Sequence, residues 1–158
     1  MRIAVIGTGY VGLVTGTCLA ESGNEVICVD VNEKKVSDLQ NGMIPIYEPG
    51  LEEMVKRNVQ EERLTFSTQI SESIQKALLI FIAVGTPLSE EGHADLSAVL
   101  NVAREIGRCM TEFKIVVTKS TVPVGTHKLV QKIIDEEKQS RKIFCEFDVV
   151  SNPEFLKE

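Results

Sequence analysis

The sequence predicts an α/β fold, a doubly wound parallel sheet of six main strands with helices on both faces. Three observations carry that expectation. Short apolar runs alternate with amphipathic helical stretches along all 158 residues, as βαβ units do. Two of the runs, Ile3-Ala4-Val5-Ile6 and Leu78 to Val84, are continuously apolar, the pattern of strands buried on both faces. The first run breaks at once into Gly7-Thr8-Gly9-Tyr10-Val11-Gly12, a glycine-rich turn that opens a helix.

That turn is G-x-G-x-x-G, and each glycine has a mechanical role. Gly7 allows the tight turn out of the strand. Gly9 leaves room for a pyrophosphate to approach the backbone. Gly12 lets the helix sit close to the sheet, its N-terminal N–H groups aimed at the phosphates. Alone the motif is weak evidence; its context strengthens it. A second strand, Glu25 to Val29, ends in Asp30, which lies 18 positions after Gly12 (30 − 12). A carboxylate at that spacing accepts hydrogen bonds from ribose hydroxyls and repels a 2′-phosphate, which points to NAD rather than NADP.

The first helix is expected from about Val11 to Ser22, with Val11, Val14, Cys18 and Leu19 on one face. Gly12, Gly16 and Ala20 recur every four residues and form a smooth ridge. Glycine inside a helix costs ~1 kcal/mol relative to alanine, so Gly16 is best explained by close packing. Asn32 is the expected N-cap of a short helix containing Val36 and Leu39 and closed by Asn41-Gly42. Lys35 sits in its first turns; from spacing alone it reads as a solvated charge. Met43 to Gly50 is a loop by its prolines and glycine, yet apolar enough to pack on something. Leu51 to Val59 is an amphipathic helix, Leu64 to Phe66 the third strand, and Ser71 to Ala77 a helix capped by Ser71. The fourth strand ends in Val84-Gly85-Thr86-Pro87, a hydroxyl-bearing turn at the edge where open α/β sheets bind ligands. Ser89 to His93 is a polar loop tip. Asp95 caps a long helix with Leu96, Val99, Leu100, Ala103 and Ile106 inward. Lys114 to Thr118 is the fifth strand and ends in Lys119-Ser120-Thr121-Val122-Pro123-Val124-Gly125. A helix from Thr126 to Lys138 turns Leu129, Val130, Ile133 and Ile134 inward, and Phe147 to Val150 is the sixth strand. Right-handed crossovers then favour the order 3-2-1-4-5-6 of a Rossmann-like sheet.

Composition narrows the class. Hydrophobic content of 43% and charged content of 25% are ordinary for a globular domain. The formal charge of −6, without a basic cluster, argues against nucleic acid as a partner. No apolar run approaches the length of a membrane span, and the chain enters its first strand immediately, so neither a membrane segment nor a signal peptide is expected. The four cysteines, Cys18, Cys28, Cys109 and Cys145, form no CxxC pair and no metal pattern. They read as reduced, mostly buried thiols of a cytoplasmic protein. His93 and His127 lack clustered partners, so no metal is expected. The tail Ser151-Asn152-Pro153-Glu154-Phe155-Leu156-Lys157-Glu158 opens like a helix, with Asn152 as N-cap and Pro153 at the first position. Glu154 and Glu158 would then share a face.

Together these pieces resemble the N-terminal domain of the UDP-glucose/GDP-mannose dehydrogenase family, and of UDP-glucose 6-dehydrogenases within it. The residues that carry the resemblance are GTGYVG from Gly7 to Gly12, Asp30, Lys35, EPGL from Glu48 to Leu51, VGTP from Val84 to Pro87, KSTVPVGT from Lys119 to Thr126, and NPEFLKE from Asn152 to Glu158. The resemblance spans the chain, and the ordered set is specific where single motifs are not. It implies oxidation of the C6 hydroxyl of a nucleotide sugar, UDP-glucose first, to a carboxylate with two NAD and a cysteine-linked intermediate. It implies cofactor contacts at Gly7, Gly9, Tyr10, Val11, Gly12, Asp30, Lys35, Val84, Gly85, Thr86, Pro87, Ser120, Thr121 and Glu158. It implies catalytic roles for Thr121, Glu154 and Glu158, which would hold and activate a water or the substrate hydroxyl, and a sugar-nucleotide wall from Glu154, Phe155, Leu156 and Lys157. Residues 1–151 would be the NAD-binding domain and residues 152–158 the start of an active-site helix leading to central and C-terminal domains.

One departure from the family is decisive. The family's nucleophilic cysteine lies in a GGSC-type motif, and none of the four cysteines here has that context. The chain therefore reads as a piece of a longer, homo-oligomeric enzyme, expected to bind NAD without turning over UDP-glucose. The alternatives are a GDP-mannose or other nucleotide-sugar dehydrogenase, or a non-catalytic NAD-binding module.

Overall fold

A computed structural model of the chain describes residues 1–89 and 92–154. Among these residues the strands are β1 (Arg2–Ile6), β2 (Glu25–Val29), β3 (Leu64–Ser67), β4 (Leu79–Ile82), β5 (Lys114–Thr118) and β6 (Phe147–Ser151). Helix α1 (Tyr10–Glu21) joins β1 to β2, and α2 (Glu33–Gln40) and α3 (Leu51–Gln60) join β2 to β3. Helices α4 (Ile70–Lys76), α5 (Ser97–Cys109) and α6 (Thr126–Ser140) follow β3, β4 and β5. Every pairing is parallel and the strand order is 3-2-1-4-5-6, as the sequence predicts.

Side-chain alternation along β1 builds two cores. Ile3 and Val5 face one layer, with Leu13 and Ala20 of α1, Val36 and Leu39 of α2, and Leu51 and Val55 of α3. Ala4 and Ile6 face the other, with Ile74 of α4, Val99, Ala103 and Ile106 of α5, and Val130 and Ile134 of α6. A sheet covered on both faces needs strands that are apolar on both faces, which is why this strand reads as one unbroken apolar run. In register, Ile6 stands beside both Val29 and Ile82. Gly7, Asp30 and Ala83 therefore leave the sheet at one level, where the connections depart to opposite faces.

The ridge of α1 is buried as expected: Gly12, Gly16 and Ala20 lie against the sheet. A Cβ at Gly16 would sit 2.4 Å from the Cys28 sulfur, so only glycine allows this approach. The predicted apolar face of α1 is corrected. Leu13 and Thr17 join the ridge in burial, Val11, Val14 and Leu19 are half-buried, and Cys18 is exposed. The helix settles on its smallest residues because they bring its backbone closest to the strands, and the bulkier residues ride beside the contact. Only Cys28 of the four thiols is buried; Cys109 and Cys145 are intermediate.

Local boundaries also move. Helix α4 starts after Gln69, not Ser71, and the buried Ser73 hydroxyl donates back to the Gln69 carbonyl at 2.7 Å. Helix α5 is capped by Leu96 without a side-chain bond, not by Asp95; the Asp95 carboxylate lies one residue earlier and accepts from the Ser97 N–H at 2.8 Å. Leu96 and Leu100 are half-buried there, and Leu129 of α6 is exposed instead of inward. In the loop before α3, Ile44 and Ile46 pack on the α1–α3 side of the core while Met43 and Tyr47 are exposed. After β4, Leu88 and Ala94 pair in an isolated antiparallel bridge. At the tail, β6 ends at Ser151, and the Asn152 and Glu154 N–H groups donate to the Thr118 and Lys119 carbonyls at 3.0 and 3.2 Å. The helix expected from Asn152 has not begun by Glu154, and Phe155, Leu156, Lys157 and Glu158 lie outside the described residues.

Candidate functional site

A cleft of about 710 Å³ opens at the C-terminal ends of β1, β2 and β4. The glycine turn forms its floor, Asp30 and Lys35 one end, Val84 and Gly85 a side, and the polar side of α5 at Asn101, Arg104 and Arg108 the far wall. This is the switch point of a doubly wound sheet, where such folds take their ligands.

The glycines are explained by their surroundings. Gly7 has φ +105°, and a Cβ there would lie 2.5 Å from the Ala83 carbonyl oxygen. A Cβ at Gly12 would lie 1.9 Å from the Gly7 carbonyl oxygen, so Gly12 seats α1 against the turn. Gly9 differs: an added Cβ would meet nothing within 4 Å. It caps α1 from the cleft side without any side-chain bond, leaving the helix N-terminus open. A concave floor with bare backbone at a helix N-terminus is what a dinucleotide pyrophosphate requires.

Asp30 closes the adenosine end. Its Oδ2 accepts from the Thr8 N–H at 3.0 Å, the Thr8 hydroxyl at 2.7 Å and the Lys35 ammonium at 3.0 Å. Its Oδ1 accepts from the Asn32 N–H at 3.1 Å. Burial pushes the carboxyl upward, but the bonds from the Thr8 hydroxyl, the Thr8 and Asn32 N–H groups and Lys35 outweigh it and bring the group to about 2. It is an anion at neutral pH with acceptor capacity left on Oδ1, the property needed to bind a ribose hydroxyl. Asn32 caps α2 as predicted, accepting from the Lys35 N–H at 3.0 Å. Lys35 is a cleft residue and not a free surface charge, its side chain being 28% exposed and paired to Asp30.

Tyr10 is exposed and its hydroxyl donates to the Glu48 carboxylate, which raises the phenol above its ordinary range. The contact ties the EPGL loop to the glycine turn. Val11 is half-buried and Pro87 exposed.

A second cluster lies along the ends of β4, β5 and β6. The Thr86 hydroxyl donates to the Thr121 carbonyl at 2.8 Å, and the Ser120 hydroxyl to the Val84 carbonyl at 2.6 Å. The Thr121 hydroxyl donates to the Glu154 carbonyl at 2.9 Å. Lys119 completes the group, with Nζ 2.6 Å from the Glu154 carboxylate and 3.2 Å from the Asn152 side-chain oxygen. The structure thus brings Thr86, Ser120, Thr121 and Glu154 into one stitched edge. Lys119 and Thr8 carry no role in the sequence reading. Thr8 occupies a variable place inside the glycine motif, and a lysine at a strand end looks like any surface charge; only pairing across the sheet distinguishes them. Phe155, Leu156, Lys157 and Glu158 are outside the described residues, so the Glu154–Glu158 face is not seen. Among the described residues no group of His, Cys, Asp or Glu could hold a metal ion, and no helix is long and apolar enough to cross a membrane.

Sheet order, glycine floor and the acid at the end of β2 define a dinucleotide-binding domain of the dehydrogenase type. The model of the UDP-glucose/GDP-mannose dehydrogenase family, NAD binding domain, matches residues 1–158, and the chain belongs to that family. It is 55% identical over 157 residues to the UDP-glucose 6-dehydrogenase TuaD of Bacillus subtilis (strain 168), covering 99% of this chain and 33% of that protein. Its fold matches a UDP-glucose dehydrogenase from the hyperthermophilic archaeon Pyrobaculum islandicum with a TM-score of 0.90 and 42% identity, over 99% of this chain and 36% of that one. A GDP-mannose dehydrogenase from Pseudomonas aeruginosa, solved as a ternary complex, gives a TM-score of 0.91 with 39% identity, over 100% of this chain and 37% of that one. The chain therefore spans about a third of the length of these relatives. Its cofactor is NAD, and the glycine floor and Asp30 are suited to it.

Proposed function

We propose that this chain is the cofactor-binding part of a UDP-glucose 6-dehydrogenase, which oxidises the C6 hydroxyl of the sugar to a carboxylate in two NAD-dependent steps. Residues 1–151 form the NAD domain, and residues 152–158 lead into an active-site helix shared with the remainder of the enzyme. The observation that carries the cofactor half is Asp30, fastened through Oδ2 and with acceptor capacity left on Oδ1 at the end of β2. The substrate half is supported by the 55% identity to a UDP-glucose 6-dehydrogenase against 39% to a GDP-mannose dehydrogenase.

In this reading Gly7, Gly9 and Gly12, with the first residues of α1 at Tyr10 and Val11, receive the pyrophosphate. Asp30 and Lys35 hold the adenosine ribose. Val84 to Pro87, Ser120 and Thr121 form the edge along which the nicotinamide half lies. Alcohol oxidation removes a hydride from carbon and a proton from the hydroxyl. Bound NAD supplies the hydride acceptor. In this reading Glu154 takes the proton, directly or through a water. Thr121 pins the Glu154 backbone and Lys119 pins its carboxylate, so both act on the orientation of the acceptor. Glu158 contributes to the cofactor and proton-transfer face, and Phe155, Leu156 and Lys157 to the sugar-nucleotide wall. The enzyme assembles as a homo-oligomer, has no nucleic-acid or membrane partner, and works in the cytoplasm, a reducing compartment suited to four unpaired cysteines.

Calorimetric titration of the chain with NAD and NADP tests the cofactor half; preference for NADP would refute it. Steady-state assays of the longer protein with UDP-glucose and GDP-mannose test the substrate half; a higher kcat/KM for GDP-mannose would overturn it. The 158-residue chain alone is expected to produce no steady NADH from UDP-glucose, since no cysteine lies in a GGSC-type motif.

A further inference from the structure

Asp30 is held by more donors than a ribose acceptor needs. Three converge on Oδ2, the Thr8 N–H, the Thr8 hydroxyl and the Lys35 ammonium, which exhausts that oxygen. Oδ1 receives only the Asn32 N–H. The Thr8 side chain is completely buried, and its hydroxyl makes its bond with this carboxylate. Thr8 therefore serves Asp30, and the bonds decide which oxygen remains for the ligand.

We propose that Thr8, Asn32 and Lys35 set the choice between NAD and NADP by forming a four-donor cradle around Asp30. The cradle fastens Oδ2 and leaves Oδ1 to accept a ribose hydroxyl; without the carboxylate it receives a 2′-phosphate in its place. The inference rests on the NAD-binding reading above and goes beyond it. With Asp30 present, the carboxylate satisfies the cradle and neutralises Lys35, so a 2′-phosphate meets a like charge and no vacant donor. With Asp30 removed, two backbone N–H groups, a buried hydroxyl and an ammonium converge on one space. That is the donor set of a phosphate site, with two of its members at the start of α2 and at the glycine turn. Selectivity thus belongs to the whole cluster. Thr8 and Asn32 are positioning residues, because they act on the ligand through the carboxylate.

Calorimetry with NAD and NADP on the 158-residue chain provides the test, with circular dichroism to confirm folding. Thr8→Val keeps the shape and removes one donor; NAD affinity should fall about 3- to 10-fold, and Thr8→Ser should restore it. Asp30→Ala should weaken NAD and tighten NADP about 10- to 100-fold. Adding Lys35→Met to Asp30→Ala should abolish the NADP gain. If Asp30→Ala does not fold, Asp30→Ser carries the same expectation. A wild-type chain that prefers NAD while folded Asp30 variants gain nothing for NADP overturns the cradle alone. A wild-type chain that binds neither cofactor overturns the function reading and the cradle with it.

Discussion

Gly16→Ala paired with Cys28→Ala gives a sign-changing test of how α1 is seated. The Cβ added at Gly16 would lie 2.4 Å from the Cys28 sulfur, while its other neighbours, Val26 Cγ1 and Val5 Cγ2, stand at an ordinary 3.6 Å. One atom is therefore the obstacle. Cys28 is fully buried in β2, and burial pushes its thiol up to about 12, so it is a neutral packing atom at neutral pH. Overpacking of this kind costs about 1–3 kcal/mol, and replacing a helical glycine by alanine returns ~1 kcal/mol. Gly16→Ala alone should thus destabilise by about 1 kcal/mol. Cys28→Ala alone removes a buried sulfur and should cost roughly 1 kcal/mol. In the double variant the new methyl occupies the space the sulfur vacates, so stability should return near wild type, a coupling of about 2 kcal/mol. Urea unfolding of all four proteins, followed by circular dichroism, measures this cycle. Because α1 carries Gly9 at its N-terminus, NAD affinity should follow the same order. Additivity within about 0.5 kcal/mol would refute the single-atom account.

Gly12→Ala should be more severe, since its Cβ would lie 1.9 Å from the Gly7 carbonyl oxygen and 3.2 Å from the Ala83 Cβ. We expect about 3 kcal/mol of destabilisation in urea melts and loss of NAD binding by calorimetry. The depressed Asp30 carboxyl makes the unfolded chain bind more protons than the folded one between about pH 4 and pH 2. Its stabilisation, about 1–2 kcal/mol at neutral pH after allowance for solvent screening, should shrink below about pH 4 and be roughly halved by about pH 3. Comparing urea midpoints of wild type and Asp30→Asn across that range checks the sign; a difference that grows on acidification would be incompatible with it. Lys114 is fully buried and donates to the Gln75 and Ala77 carbonyls at 2.9 and 2.6 Å and to the Glu112 carboxylate at 3.0 Å, closing the C-terminus of α4. Lys114→Met keeps the stem but strands those carbonyls. A loss of about 2–4 kcal/mol is expected, seen as a fall in melting temperature of roughly 5–15 °C.

Much of this was legible without coordinates. The strands appeared as apolar runs because a parallel sheet buried on both faces leaves no room for polar alternation. Asp30 was visible because the βαβ unit imposes a nearly constant spacing between the glycine turn and the end of the second strand. Lys35 was legible only through the family resemblance: its spacing suits a surface charge equally well, and the fold back toward Asp30 supplies its partner. Local capping chemistry placed Asn32 correctly. It misplaced the start of α4, where the Ser73 hydroxyl bonds back to Gln69 from inside the helix. The small-residue ridge of α1 was legible, but the apolar face assigned beside it was not: Leu13 and Thr17 join the ridge in burial while Cys18 is exposed. The helix buries Gly12, Gly16 and Ala20, whose virtue is small size.

What the sequence alone determined is the class of molecule: a doubly wound sheet with a glycine turn and an acid suited to NAD. Those features follow from contacts close along the chain, such as strand periodicity, turn chemistry and the length of one βαβ unit. Tertiary structure decided which groups cooperate. Thr8 meets Asp30 across 22 residues. Lys119 meets Glu154 only because β5 and β6 lie side by side and the chain after β6 stays extended. The Lys119–Glu154 pair obeys no spacing rule, and the βαβ spacing that sets Asp30 opposite the glycine turn does not say which side chain there will bond to it; sheet register and the packing of both cores decide both.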